Sequence, residues 1–157
     1  MSSATGQIDS SRLIFPGLAG LYQSVAPYSY SIIRFIAGAI LVYHGYGKLF
    51  GGNIQGVADH VVTPLGLPMP MAWAYFLALL EFAGGIALAV GFLTRPIALM
   101  LTIEFIIITV WHYPNGYVFT SARGGYEYPL VLLILYAAIF FRGGGRLSVD
   151  KRLGKEF

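Results

Sequence analysis

SIIRFIAGAILVYHGYGKLF, residues 31–50, decides how the rest of the chain is read. About 20 mostly apolar residues in a helix rise roughly 30 Å, the thickness of a bilayer's hydrocarbon core. Yet this stretch carries Arg34, His44 and Lys48. Ionisable groups are costly in lipid, so within a span they face protein or water and mark candidate functional positions. On a helical wheel Arg34, Gly38, Leu41, Gly45 and Lys48 form one stripe, with His44 one turn from Lys48. Gly38 and Gly45 invite a second helix to approach the backbone. Arg34 stands about 15 Å from His44 along the axis and is expected to snorkel to the nearer interface.

Composition agrees with a membrane chain. Of 157 residues, 57% are hydrophobic and 11% charged, whereas about a quarter of a soluble domain is charged. The absence of cysteine excludes disulfides, thiolate metal sites and a thiol relay. Residues 1–29 read as an N-terminal interfacial arm: a small, polar start, then RLIFPGLAGLYQSVAPY (12–28), interrupted by Pro16, Gly17 and Pro27. They hold no charged region followed by an apolar run and a small-residue cleavage site, so no cleaved leader is expected.

Three further apolar stretches follow. Residues 72–92 carry Glu81 on a face shared with Gly84, Gly85 and Leu88, residues 97–113 carry Glu104, and residues 126–141 open with Tyr126, Glu127 and Tyr128. The connection 51–71 predicts a short helix over 53–63, with Val57, Val61 and Val62 on its apolar side, stopped by Pro64, Pro68 and Pro70. GFLTRP (91–96) is a tight turn with Pro96 in the first turn of the next helix. The fold class expected is an all-α, integral membrane four-helix bundle with short interfacial segments. Residues 30–142 form the transmembrane domain and 143–157 a basic cytoplasmic tail. Arg12, Arg95, Arg142, Arg146, Lys151, Arg152 and Lys155 fall on one side, and Arg123 with Lys48 on the other. The positive-inside rule then puts both termini in the cytoplasm of a multi-pass inner-membrane protein.

That topology stacks the polar groups in two layers. His44, Glu81 and Glu104 share one; Lys48, His112, Arg123 and Glu127 lie nearer the outer mouth. Two carboxyl groups in lipid need protons or cations, and His44 and Lys48 are the nearest candidates. The expectation is a ligand pocket in the outer half of the bundle, drawing on Tyr43, His44, Lys48, Glu81, Glu104, His112, Arg123 and Glu127. His44, Glu81 and Glu104 are its candidate catalytic groups, and Tyr46, Trp111, Tyr113 and Tyr117 would form its rim. The plainer alternative makes the same residues interhelical glue and an interfacial aromatic belt. No metal is expected, since no His or Glu pair has diagnostic ligand spacing. Phosphate-loop, dinucleotide, zinc-protease and haem motifs are absent from the sequence. Ser10, Ser11 and Ser121 have no base placed by sequence, and nucleic acid is not an expected partner.

The pattern L-x-Y-H-G-Y-G-K-L-F-G-G at 41–52 resembles the DoxX family of small membrane proteins. So do L-x-E-x-x-G-G-I-A-L-A-x-G-F-L-T-R at 79–95, Gly124 to Tyr128, and G-x-x-R-x-S-x-D-x-x-L at 143–153. The resemblance covers about residues 30–153 and implies a four-helix membrane bundle. It also implies kinship with subunits of thiosulfate:quinone oxidoreductases and with membrane partners of redox and sulfur-handling enzymes. Family-like positions are His44, Gly45, Gly47, Lys48, Glu81, Gly84, Gly85, Thr94, Arg95, Gly125, Glu127 and Tyr128. The functional expectation is a membrane subunit of a redox complex that binds a quinone-like lipophilic ligand. Lys48 or His44 would hydrogen-bond a carbonyl oxygen, while Glu81 or Glu104 exchanges protons. A soluble redox or sulfur-metabolism partner would deliver electrons, and the glycine faces permit a homo-oligomer. Two alternatives stay open: a non-catalytic membrane anchor or assembly protein, and a small-solute transporter with a carboxylate proton relay.

Overall fold

The computed structural model describes residues 8–118, 120, 124–155 and 157. It is all-α. Helix α1 runs from Ala19–Leu49, and α2 (Ile54–Val57) continues through a π-helical turn, Ala58–Val62, and a short 3-10 turn, Thr63–Leu65. Next comes a second long helical run. It is built from α3 (Pro70–Leu79), a π-helical turn (Leu80–Gly84) and α4 (Gly85–Val90). Helices α5 (Thr94–His112), α6 (Glu127–Arg142) and the short α7 (Val149–Arg152) complete the chain.

Among the described residues three segments are long and apolar enough to cross a membrane: Pro16–Leu49, Pro70–Val90 and Thr94–Asn115. Helix α6, at 16 residues, rises about 24 Å and pairs closely with α5. Helix α1 begins earlier than its sequence suggests, because Pro27 sits inside it without ending it. Proline removes one backbone donor. The flanking hydroxyls of Ser24 and Ser29 turn back to the carbonyls of Leu21 and Ala26.

The stripe read on α1 is the face that packs. Ser31, Arg34, Ala37, Gly38, Leu41 and Gly45 are buried, while Ile32, Ile33, Phe35 and Ile36 are about half exposed on the other side. An exposed apolar flank of this kind suits lipid contact. The buried face meets α4 and the π turn before it. At Gly38 an added Cβ would stand 2.6 Å from Ala89 N and 2.9 Å from Ala89 Cα; at Gly45 it would stand 2.8 Å from Phe82 Cα. Those neighbours are backbone atoms, which cannot rotate away. Gly38→Ala is therefore expected to destabilise the protein by about 1–3 kcal/mol. Gly47, whose Cβ position is open, should tolerate alanine with a gain of up to about 1 kcal/mol. Thermal melts of the two variants in detergent check the contrast, and equal melts would contradict the close approach.

The core proper lies between α1, α4, α5 and α6, where Leu41, Leu88, Leu101, Tyr136 and Ile139 are fully buried. The Tyr136 ring lies 5.1 Å from that of Phe105, and its hydroxyl donates to Ala37 O at 3.2 Å. A second, smaller core sits under the 54–65 connection, where Val57, Ala58 and Val62 pack with Ala74. The short helix expected there is present, with Ala58 rather than the half-exposed Val61 completing its buried side.

Arg34 does not snorkel. It is 2% exposed, because backbone carbonyls substitute for the headgroup water it was expected to reach. Its guanidinium donates to Leu88 O at 2.5 Å, Ala89 O at 2.9 Å and Leu147 O at 2.6 Å. Two of those carbonyls close the C-terminal end of α4, where a cation also suits the helix dipole.

Residues 143–153 are knitted into the same end of the bundle. Tyr30 donates to Gly143 O at 2.5 Å, Arg95 donates to Phe140 O and Phe141 O, and Asp150 is 2% exposed. Helix α5 starts after Leu93, a residue that cannot cap it. The Asp150 carboxylate supplies the cap from across the fold, accepting from Leu93 N at 2.8 Å, Thr94 N at 3.0 Å and Thr94 Oγ1 at 2.6 Å.

Candidate functional site

At the other end of the bundle, three helices bring ionisable side chains together. Lys48 lies in the last turn of α1, Glu81 in the π turn of the second run, and Glu104 midway along α5. A π turn holds one residue more than an α turn and recurs at functional sites. Here the glycine contact between Gly45 and Phe82 seats that turn directly against α1, so Glu81 emerges toward Lys48. Lys48 Nζ lies 2.5 Å from Glu81 Oε1.

Glu81 and Glu104 are 3% and 6% exposed. The Glu104 carboxyl is within hydrogen-bonding reach of Glu81 and feels the charge of Lys48. Such a contact between two carboxyl groups needs a proton on one of them. Glu81 Oε2 and Glu104 Oε2 are buried and accept from no donor among the described residues, which a proton shared between the two carboxyls would satisfy. Tyr128, in the first turn of α6, is close enough to interact with Glu81. Tyr136, whose hydroxyl donates to Ala37 O, lies within electrostatic range of the same acids.

An apolar cleft of about 340 Å³ reaches this cluster. It runs between α3 and α5 beneath the 54–65 connection, and Lys48 and Glu104 are its only charged lining groups among the described residues. Trp73, Phe76, Ile103 and Ile107 line its walls and are partly exposed on the outer surface. The cleft is therefore reached from the side that suits lipid. Its volume falls within the roughly 300–1,000 Å³ usual for small-molecule sites.

Of the eight site residues expected from sequence, Lys48, Glu81 and Glu104 are brought together. Tyr43 is 79% exposed, and its ring lies 6.1 Å from that of His44. His44 is exposed and faces the Tyr128 ring at 6.4 Å. It lies on the α6 side and does not line the cleft. His112 is taken by its own helix, with Nδ1 2.9 Å from Ile108 O. Glu127 is half-buried at the start of α6, and Arg123 lies outside the described residues. The single pocket lined by Tyr43, His44, Lys48, Glu81, Glu104 and His112 is thus divided. Among the described residues no three His, Asp or Glu side chains gather as metal ligands would.

Sequence reasoning passed over Tyr136, which reads as one more apolar core position in a purely hydrophobic helix. It also passed over the cleft walls, whose residues look like ordinary lipid-facing side chains. Tyr128 was visible as a family-like position in the Tyr126–Glu127–Tyr128 opening of the last span, but not as a neighbour of Glu81.

Comparison with known proteins bears on the same region. The family model described as DoxX matches residues 29–114, a stretch that contains Lys48, Glu81 and Glu104. The inner membrane protein YphA of Escherichia coli (strain K12) is 27% identical over 131 residues, covering 77% of this chain and 87% of that protein. The inner membrane protein YqjF of the same organism is 26% identical over 127 residues, covering 80% and 92%. No solved structure matches.

Proposed function

The chain belongs to the DoxX family, and from that premise we propose that it is an inner-membrane protein whose lateral cleft admits a lipophilic, carbonyl-bearing ligand of the quinone class. The observation that carries this reading is the ending of the cleft. An apolar passage of ligand size terminates on Lys48 and Glu104, two buried or half-buried groups that both interact with Glu81. Similarity to proteins named as inner membrane proteins supports the location.

The residues fit such a ligand. A quinone supplies reversible two-electron, two-proton chemistry when bound. Lys48 Nζ would donate to a carbonyl oxygen, as the ammonium has further protons beyond the one given to Glu81. Glu104 and Glu81 would pass a proton between their carboxyl groups, and the Trp73, Phe76 and Ile107 walls would exclude water and accept a flat ring. A soluble redox partner delivering electrons belongs to the same reading, which makes this chain the membrane subunit of a redox complex.

Helix α6 acts here as a fourth crossing. The bonds from Tyr30 to Gly143 and from Arg34 to Leu147 join the first half of α1 to the segment after α6, which an even number of crossings satisfies. Arg95, Arg142, Arg146, Lys151 and Arg152 collect at that end, so the positive-inside rule makes it cytoplasmic.

Organic extracts of the protein, purified from quinone-containing membranes, test the ligand by ultraviolet absorbance. The wild type is expected to carry quinone. Glu104→Gln should lower the content about tenfold, as loss of one charge-assisted hydrogen bond does. Ile107→Trp, which fills the cleft wall, should do the same without altering the acids. Quinone-free wild type, or variants with unchanged content, would favour a non-catalytic anchor.

A further inference from the structure

A second recess lies at the opposite end of the bundle, between the first half of α1 and the segment that follows α6. Its volume is about 840 Å³, and its lining includes Gln23, Ser31, Arg142, Arg146, Lys151 and Lys155. Four cations face it, and no carboxylate lines it among the described residues. Two carboxylates close to it in the chain are occupied elsewhere, while Glu156, next to Lys155, lies outside the described residues. Asp9 accepts from Ser11 N and Oγ, and Asp150 caps α5.

Such a concentration of one sign is costly unless something neutralises it. The cations are also not free to scatter. Arg142 lies 5.4 Å over the Tyr30 ring, and the Lys151 backbone is pinned by Ser148. Ser31 adds an independent sign. Only 8% exposed, it lines the recess, and its hydroxyl has no hydrogen-bond partner. Buried hydroxyls without partners are uncommon, and this one belongs to a residue on the recess wall.

The position suits a lipid headgroup. At 31 residues, α1 is about 46 Å long, against a hydrocarbon core of roughly 30 Å. Its first turns therefore lie at headgroup level when Ser31–Phe50 crosses the core. Leu21, Val25 and Tyr28 stand exposed on the same turns, where acyl chains would begin.

We propose that this recess binds a phosphate group, presented by an anionic phospholipid, with Arg142, Arg146, Lys151 and Lys155 on its oxygens and Ser31 donating from the floor. The site is separate from the cleft at Lys48 and does not depend on it.

Full-length protein in detergent, offered phosphatidylglycerol or phosphatidylcholine and read by native mass spectrometry, tests this. The wild type should retain phosphatidylglycerol at least about tenfold better. The double variant Arg146→Gln/Lys155→Gln should lose about tenfold of that retention, and Ser31→Ala severalfold. Arg152→Gln, an exposed cation outside the recess, should change nothing. Millimolar inorganic phosphate should not displace the lipid. If instead phosphate alone raises the melting temperature of wild type but not of the double variant, the site takes the free ion and the phosphate chemistry stands. Equal retention of both lipids with no effect of phosphate overturns the proposal. So does an Arg152→Gln loss equal to the double variant's, which would mean diffuse charge. Should the double variant fail to fold, unchanged phosphatidylglycerol retention by Ser31→Ala overturns it alone.

Discussion

Asp150→Ala is expected to cost about 3–5 kcal/mol of stability and to produce little folded protein in membranes. The carboxylate is buried and satisfies three donors at the start of α5. Removing it strands all three, and a stranded donor or a broken buried charge network costs on this order. The turn it holds is also strained, because Leu93 sits at φ 48°. A non-glycine residue in the left-handed region persists only where surrounding contacts hold it. Asp150→Asn should fall between, since the amide oxygen still accepts but the charge beside the α5 dipole is gone. Chemical unfolding in detergent, followed by circular dichroism, gives the order wild type, Asn, Ala. An alanine variant as stable as wild type would mean that the tail merely rests on the bundle.

Lys48→Met carries the second large effect, also about 3–5 kcal/mol, because Glu81 is left as a buried carboxylate without its cation. Its diagnostic is rescue. In the double variant Lys48→Met/Glu81→Gln both members of the ion pair are neutral, and stability should return to within about 1–2 kcal/mol of wild type. Glu81→Gln alone should cost less than Lys48→Met, since Lys48 is one-quarter exposed and can turn to water. Thermal melts of the four proteins form a double-mutant cycle. Additive losses in the double variant would show that the 2.5 Å contact contributes nothing to coupling.

These two variants probe opposite ends of the bundle, and the two ends were unequally legible. The Lys48 end could be anticipated because charge within an apolar run is conspicuous: Lys48, Glu81 and Glu104 stand out against their neighbours wherever the chain places them. His44 and His112 stood out equally, yet one lies on the α6 side and the other bonds its own helix. A helical wheel gives an angle, but not the neighbour that occupies it. The Asp150 end was nearly illegible. Its basic residues read as a solvated tail, and its partners are backbone groups of the 91–94 turn, which carry no signature of their own.

What the residues alone determined is the solvent of this protein and the faces of its helices. Runs of apolar side chains with too few charges for water require lipid, and the 3.6-residue repeat of Arg34, Gly38, Leu41 and Gly45 picks out the packed side of α1. Only the tertiary structure decided which charges meet, because that depends on long-range contacts. The backbone of Phe82 against Gly45 turns Glu81 to Lys48. The carboxylate of Asp150 finds Thr94 only after the chain has crossed the bundle and returned.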